Sequence, residues 1–220
     1  LTWREVAWLR GVSRYLQQAG IPFSMPYVAV AVNAHPAIAA LLVAAFRAKF
    51  DPDTGLDAQA RRAASEKELE RVEEALDTVS SLDQDRILRM FMAVLRAMVR
   101  TNAFDPDAGA LAFKLLPAEL TLLPEPRPAH EIFVYSPRVQ GVHLRFGAVA
   151  RGGLRWSDRK EDFRTEVLGL VKAQMVKNTV IVPVGAKGGF VPLTLPDPAV
   201  DRAAWLAGGV AAYKKFIESL

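Results

Sequence analysis

Cysteine is absent from this chain. That excludes disulfides and thiolate zinc sites, and it agrees with a reducing, cytoplasmic setting. Histidine is scarce. His35, His130 and His143 stand far apart without metal-ligand spacing, and a three-ligand catalytic zinc would need all three to converge, so no metal is expected. Long apolar runs are missing as well. The longest candidate, Ile21 to Phe46, is interrupted by Pro22, Pro26, Asn33, His35 and Pro36. No span of about 20 apolar residues is left to cross a membrane, and no membrane partner is expected. No basic segment with a following apolar core opens the chain. GxGxxG and P-loop patterns are also lacking. The chain starts at Leu1 rather than Met and stops at Leu220 inside an apparent helix, so it reads as a piece of a longer protein.

What is present is ordinary in bulk and unusual in one place. Apolar residues make up 51% of the 220, enough for a packed core, and charged residues make up 24%. The net charge is +4. Residues 141 to 190 carry nine Lys/Arg against four Asp/Glu, a local +5, which leaves the remainder near neutral. An anionic ligand at that segment is one reading. The other is a solvated helix face of arginine–glutamate pairs, favoured for Arg159, Lys160 and Arg164, which alternate with Glu161, Asp162 and Glu166.

The first hundred residues read as helices. Trp8, Val12, Tyr15, Leu16 and Ala19 recur at helical spacing up to Gly20-Ile21-Pro22. Asn33 and Pro36 open a second helix with Ile38, Leu41, Leu42, Ala45 and Phe46 on one face, stopped by Asp51-Pro52. A charged helix follows over about 58–79. Ser81 and Gln84 suggest a capping box for a fourth, which runs out near Asn102. Composition then shifts. Short strand-like runs cover Ala110 to Leu115, Glu131 to Tyr135 and Gly141 to Phe146, around a stiff proline connector at 123–128. Asp158 and Glu161 suggest another capping box, for a helix carrying Phe163, Val167, Leu170, Val171 and Met175. Thr179 to Val184 reads as a buried strand, and Asp201 starts a closing helix. The order predicts an α/β fold: a mostly helical N-terminal half, residues 1–104, then a mixed-sheet portion, residues 105–220.

The chemistry concentrates between Arg151 and Gly189. Arg151 precedes Gly152-Gly153. Lys177 ends a helix. Lys187 lies in Gly185-Ala186-Lys187-Gly188-Gly189, expected to be a turn just after a strand. Glycines let backbone and a charged side chain approach a small anion together. A dicarboxylate needs two cations to neutralise it. A third amine crowded by those two, and partly desolvated, gives up its proton more readily and becomes useful for proton transfer.

The same segment resembles the substrate-binding domain of glutamate dehydrogenases, and its wording, RGGLRWSDRKEDFRTEVLGLVKAQMVKNTVIVPVGAKGGFV, is similar to the large NAD-specific bacterial class. EIFVYSPRVQGVHLR, from Glu131 to Arg145, supports that class. The resemblance implies that Lys187 is the catalytic lysine and that Lys177 holds the α-carboxylate. It puts Arg151 where smaller members place a lysine for the side-chain carboxylate, with Gly152 and Gly153 at the substrate. It also implies an enzyme that converts L-glutamate to 2-oxoglutarate and ammonia with NAD. The cofactor would be bound by a domain outside this chain, the catalytic aspartate would fall beyond Leu220, and the full-length protein would be a homo-oligomer. The piece alone would not turn over. The interval from Lys177 to Lys187 is shorter than in small members. A competing reading is a basic module that binds nucleic acid or another anion, with Phe146, Trp156 and Phe163 beside the cations. It is disfavoured because those aromatics follow no stacking pattern, and no nucleic-acid partner is expected. The helical half alone suggests only core or subunit contact.

Overall fold

The computed structural model describes residues 1–147, 152–178 and 185–220, with the side chains of residues 175–178 also outside the description. The element order is α1 (Trp3–Gln18), α2 (Met25–Ala34), α3 (Pro36–Phe50), α4 (Ala58–Leu76), α5 (Leu82–Ala97), β1 (Met98–Thr101), β2 (Leu111–Leu115), β3 (His130–Tyr135), β4 (Val139–Arg145), β5 (Leu154–Trp156), α6 (Phe163–Asn178), β6 (Ala186–Pro192) and α7 (Arg202–Glu218). Helices dominate the first half and a mixed sheet the second, so the α/β expectation holds.

Local chemistry explains most of the boundaries. Thr2 and Glu5 form a complete capping box at α1, and Asp57 and Asp201 cap α4 and α7 with their side chains. At α5 only half of the expected box forms. Ser81 accepts from the Gln84 backbone, while the Gln84 side chain pairs with His35 Nε2 at 2.8 Å. The expected box at Asp158 does not open α6, which begins at Phe163 instead. There Glu161 is drawn away to Gln17 of α1.

Two elements were hidden by their neighbours. Pro22 and Pro26 read as interruptions, yet Pro26 stands in the first turn of α2 behind the Ser24 cap, where a missing N–H is harmless. The break at His35-Pro36 then bends α2 against α3 by 96°. Among the described residues no single helix is long and apolar enough to cross a membrane. The fourth helix was expected to reach Asn102 but stops at Ala97, because residues 98–101 pair with β2 as an edge strand. β-branched Val99 and Thr101 suit that role, and tertiary pairing overrides the helical run.

The sheet order is β1-β2-β3-β4-β6-β5, antiparallel throughout except for the parallel β5–β6 pair. One face carries Phe113, Leu115, Phe133, Val142 and Leu144 into a core shared with α1, α3, α5 and α6. Tyr15 meets Phe133 edge-on at 5.5 Å, and Phe163 stacks on Phe133 at 6.4 Å. The other face presents Ala112, Val134 and Phe190 to Ala212 and Phe216 of α7. The main apolar core is therefore continuous from the N-terminal helices into the sheet and α6.

Candidate active site

β5, α6 and β6 form a β–α–β unit. Because β5 and β6 run parallel, with Leu154 opposite Gly188, both strands start at the same edge. The connecting helix returns antiparallel to them, so its last residues lie at that edge too. Gly152-Gly153, the end of α6 and the first residues of β6 are thereby gathered by topology alone.

Lys187 is the second residue of β6, opposite Leu144 of β4. This corrects the expectation of a turn: GAKGG is regular strand, and its glycines serve close packing rather than chain reversal. A β-carbon at Gly189 would strike Val167 of α6 at 2.5 Å. Side chains two residues apart share a sheet face, so Lys187 points to the α6 side. A β-carbon built on Gly153 lies 3.9 Å from the Lys187 Nζ atom. The lysine amine thus hangs beside the bare backbone of the Gly-Gly pair. Lys187 is half-buried, whereas Gly152 and Gly153 are exposed, leaving the amine an open side toward the glycines.

Gly152 has its own steric reason. A β-carbon there would land on the Ala186 carbonyl oxygen. The Gly188 N–H donates to the Gly153 carbonyl at 3.2 Å, which fastens the two segments together. Glu166 in the first two turns of α6 completes the local frame by accepting from Arg155 Nε at 3.0 Å and from the Ser157 hydroxyl at 2.5 Å. Of the five expected site residues, the structure brings together Gly152, Gly153 and Lys187. Arg151 lies outside the described residues. Lys177 is described as backbone near the end of α6, with its side chain outside the description. The strand expected at 179–184 also lies outside.

The surrounding charge divides two ways. Arg159 pairs with Asp162 on the surface, as the reading of a solvated helix face requires, and Lys160 is exposed. Arg164 does not fit that reading. Its side chain is 2% exposed and makes a two-pronged ion pair with Glu131, itself fully buried, at 2.7 Å for each bond. Burial opposes the guanidinium's charge, but the adjacent carboxylate outweighs burial and holds its pKa above the ordinary arginine value. Sequence did carry a signal for this pair. Glu131 alternates with Phe133 and Tyr135 on the core face of β3, and Arg164 stands four residues before buried Leu168 on α6.

Further basic residues face the other side of the sheet. Arg100, Lys114, His130, His143 and Arg145 line an open basin of about 640 Å³. Burial, with the Arg145 charge beside it, lowers the His143 pKa. Of the aromatics considered for base stacking, Phe163 is fully buried, and Trp156 is stacked on Trp205 at 4.6 Å. Among the described residues no three of His, Asp and Glu converge as a metal site.

Comparison with known proteins shows the family. Residues 71–220 match the family described as "Bacterial NAD-glutamate dehydrogenase, catalytic domain", and residues 1–52 match "Glutamate dehydrogenase, helical motif 3". The chain is 54% identical to the NAD-specific glutamate dehydrogenase of Mycobacterium tuberculosis, and 51% identical to those of Pseudomonas aeruginosa and Halomonas elongata. Each match covers all of this chain and 14% of the relative. The β–α–β unit with its lysine and paired glycines lies inside the matched catalytic region, and the chain belongs to the bacterial NAD-glutamate dehydrogenase family.

Proposed function

We propose that these residues form part of the glutamate pocket of an NAD-dependent glutamate dehydrogenase. The enzyme would oxidatively deaminate L-glutamate to 2-oxoglutarate and ammonia. The observation that carries this reading is the placement of the Lys187 amine beside Gly153, at the edge where β5, β6 and the end of α6 meet. Bare backbone at Gly152-Gly153 admits a carboxylate to hydrogen-bond distance, and the Lys187 ammonium supplies charge and a transferable proton. In this reading Lys187 assists proton transfer at the substrate's α-carbon centre. Arg151 grips the side-chain carboxylate, and its guanidinium suits two-pronged binding. Lys177 takes the α-carboxylate. Residues 105–220 then make up part of the substrate-binding domain, with residues 1–104 as the helical region before it.

NAD is required as hydride acceptor, since the relatives are named NAD-specific. The sequence contains no GxGxxG turn, so these residues do not provide the usual dinucleotide cradle, and we assign it to a domain outside them. The lack of cysteine agrees with a reducing cytoplasm.

The test is Lys187→Ala in the intact enzyme. Loss of a positioned acid–base group predicts a fall in kcat of about 10²–10⁴-fold with the fold retained by circular dichroism. Wild-type turnover by that variant would remove Lys187 from the reaction.

A further inference from the structure

The start of α6 is held from outside by a helix far away in sequence. Gln18, at the end of α1, accepts from the Arg164 backbone N–H at 3.1 Å and donates to the Lys160 carbonyl at 2.9 Å. First-turn N–H groups of a helix have no partner within it, so Gln18 caps α6 from another helix. Gln17 adds a bond to Glu161. The Arg164 side chain then reaches β3 and closes on both oxygens of Glu131. The Tyr15 hydroxyl of α1 is buried beside this pair, and burial, then the Glu131 charge, raises its pKa.

A buried ion pair is a poor source of stability, because apolar residues of similar volume often serve as well or better. What this pair supplies is geometry. Two parallel N–H···O bonds fix the guanidinium in the plane of the Glu131 carboxylate, and Gln18 holds the backbone N–H of the same turn. From Arg164 to Lys177 the helix rises about 20 Å at about 1.5 Å per residue. A straight helix carries any axial slip at its first turn undiminished to its last. The contact also joins the two matched segments, since α1 lies in residues 1–52 and α6 in residues 71–220.

We infer that Gln18, Glu131 and Arg164 are positioning residues, through which the N-terminal helices set the placement of the substrate-holding end of α6. The inference rests on the glutamate reading above and gives the helical half a role in it. None of the three residues touches substrate. They act by fixing where the end of α6 stands relative to Lys187 and the Gly-Gly pair.

The experiment is steady-state kinetics of the intact enzyme with Gln18→Leu and Arg164→Lys, with thermal midpoints measured alongside. Gln18→Leu keeps size and removes both cross-helix bonds. Arg164→Lys keeps the charge and removes the two-pronged geometry. Misplacement of one substrate contact predicts a rise in KM for glutamate of about fivefold or more in each variant, with KM for NAD within about twofold of wild type. A lowered thermal midpoint with both KM values unchanged, or both raised together, would show a purely structural clasp and overturn the inference. If Arg164→Lys does not fold, Gln18→Leu decides alone. A wild-type enzyme inactive on glutamate is a separate outcome, which removes the glutamate reading and this inference with it.

Discussion

The turn glycines of the helical half and the strand glycines around β5 and β6 serve opposite purposes, with Gly11 as the exception: it lies inside α1, and a β-carbon there would meet Phe113 at 2.9 Å. Gly20, just past α1, has a φ of +83° and nothing within 4 Å of a built β-carbon. It is there because the chain turns in a conformation that other residues resist. Gly152, Gly188 and Gly189 are there because something else occupies the space: the Ala186 carbonyl, Leu154 and Val167. The first kind punctuates a scaffold. The second kind lets two strands and a helix close on a lysine with bare backbone exposed beside it. Polar groups follow the same division. In the helical half, pairs such as Arg96–Glu66 and Arg71–Glu68 sit on the surface, where each is worth at most about 1 kcal/mol. Near α6, the Arg164–Glu131 pair is sealed in the core.

That contrast breaks most visibly at Gly152. Gly152→Ala drives a methyl group into backbone that cannot yield as a side chain would, so β5 and β6 must separate. A shift of about 1 Å predicts a loss of at least about 10² in kcat/KM for glutamate. Unchanged kinetics in this variant would mean that the Gly-Gly segment does not face the substrate.

The helical half answers to pH instead. Lys49 donates to the Leu95 and Arg96 carbonyls at 2.8 and 2.9 Å, at the end of α5. Burial lowers its pKa from the ordinary 10.5 to about 8, although Glu119 and Glu66 oppose the shift. Between those values the unfolded chain keeps the proton and the folded chain releases it, so this group makes stability rise with pH across that window. The gain is on the order of 2 kcal/mol at most after solvent screening, and Lys49→Met should abolish it. Denaturant midpoints at pH 7.5 and 10 give the comparison. Equal pH slopes in both proteins would contradict the burial argument.

The smallest effect belongs to Gly20→Ala. Its positive φ predicts about 1 kcal/mol of lost stability, read from the denaturant midpoint, with the glutamate KM untouched. A kinetic change there would blur the line between scaffold and site.

Sequence showed the helices with strong stripes and clear caps, such as α1 and α4, because spacing and capping are local. It missed α2, whose prolines are acceptable only when the cap at Ser24 is seen. It missed β1 and β5, which exist through pairing with partners distant in the chain. The cluster of Gly152, Gly153 and Lys187 is visible as a motif, but its geometry depends on strand pairing that spacing does not show. Glycines around a lysine look like a turn until β4 and β5 are placed on either side of β6. Arg164 looked solvated because its sequence neighbours are charged, while its partner lies 33 residues away on another element.

In the proposed pocket a dicarboxylate rests against Gly152-Gly153 with the Lys187 amine over it. An experimental structure of the intact enzyme with 2-oxoglutarate bound tests this most directly. The ligand is expected within about 3 Å of Lys187 Nζ, at the edge where β5 and β6 begin, with the side chains of Arg151 and Lys177 turned toward the same cleft. A ligand seated elsewhere, or those three side chains on opposite faces of the sheet, would contradict it.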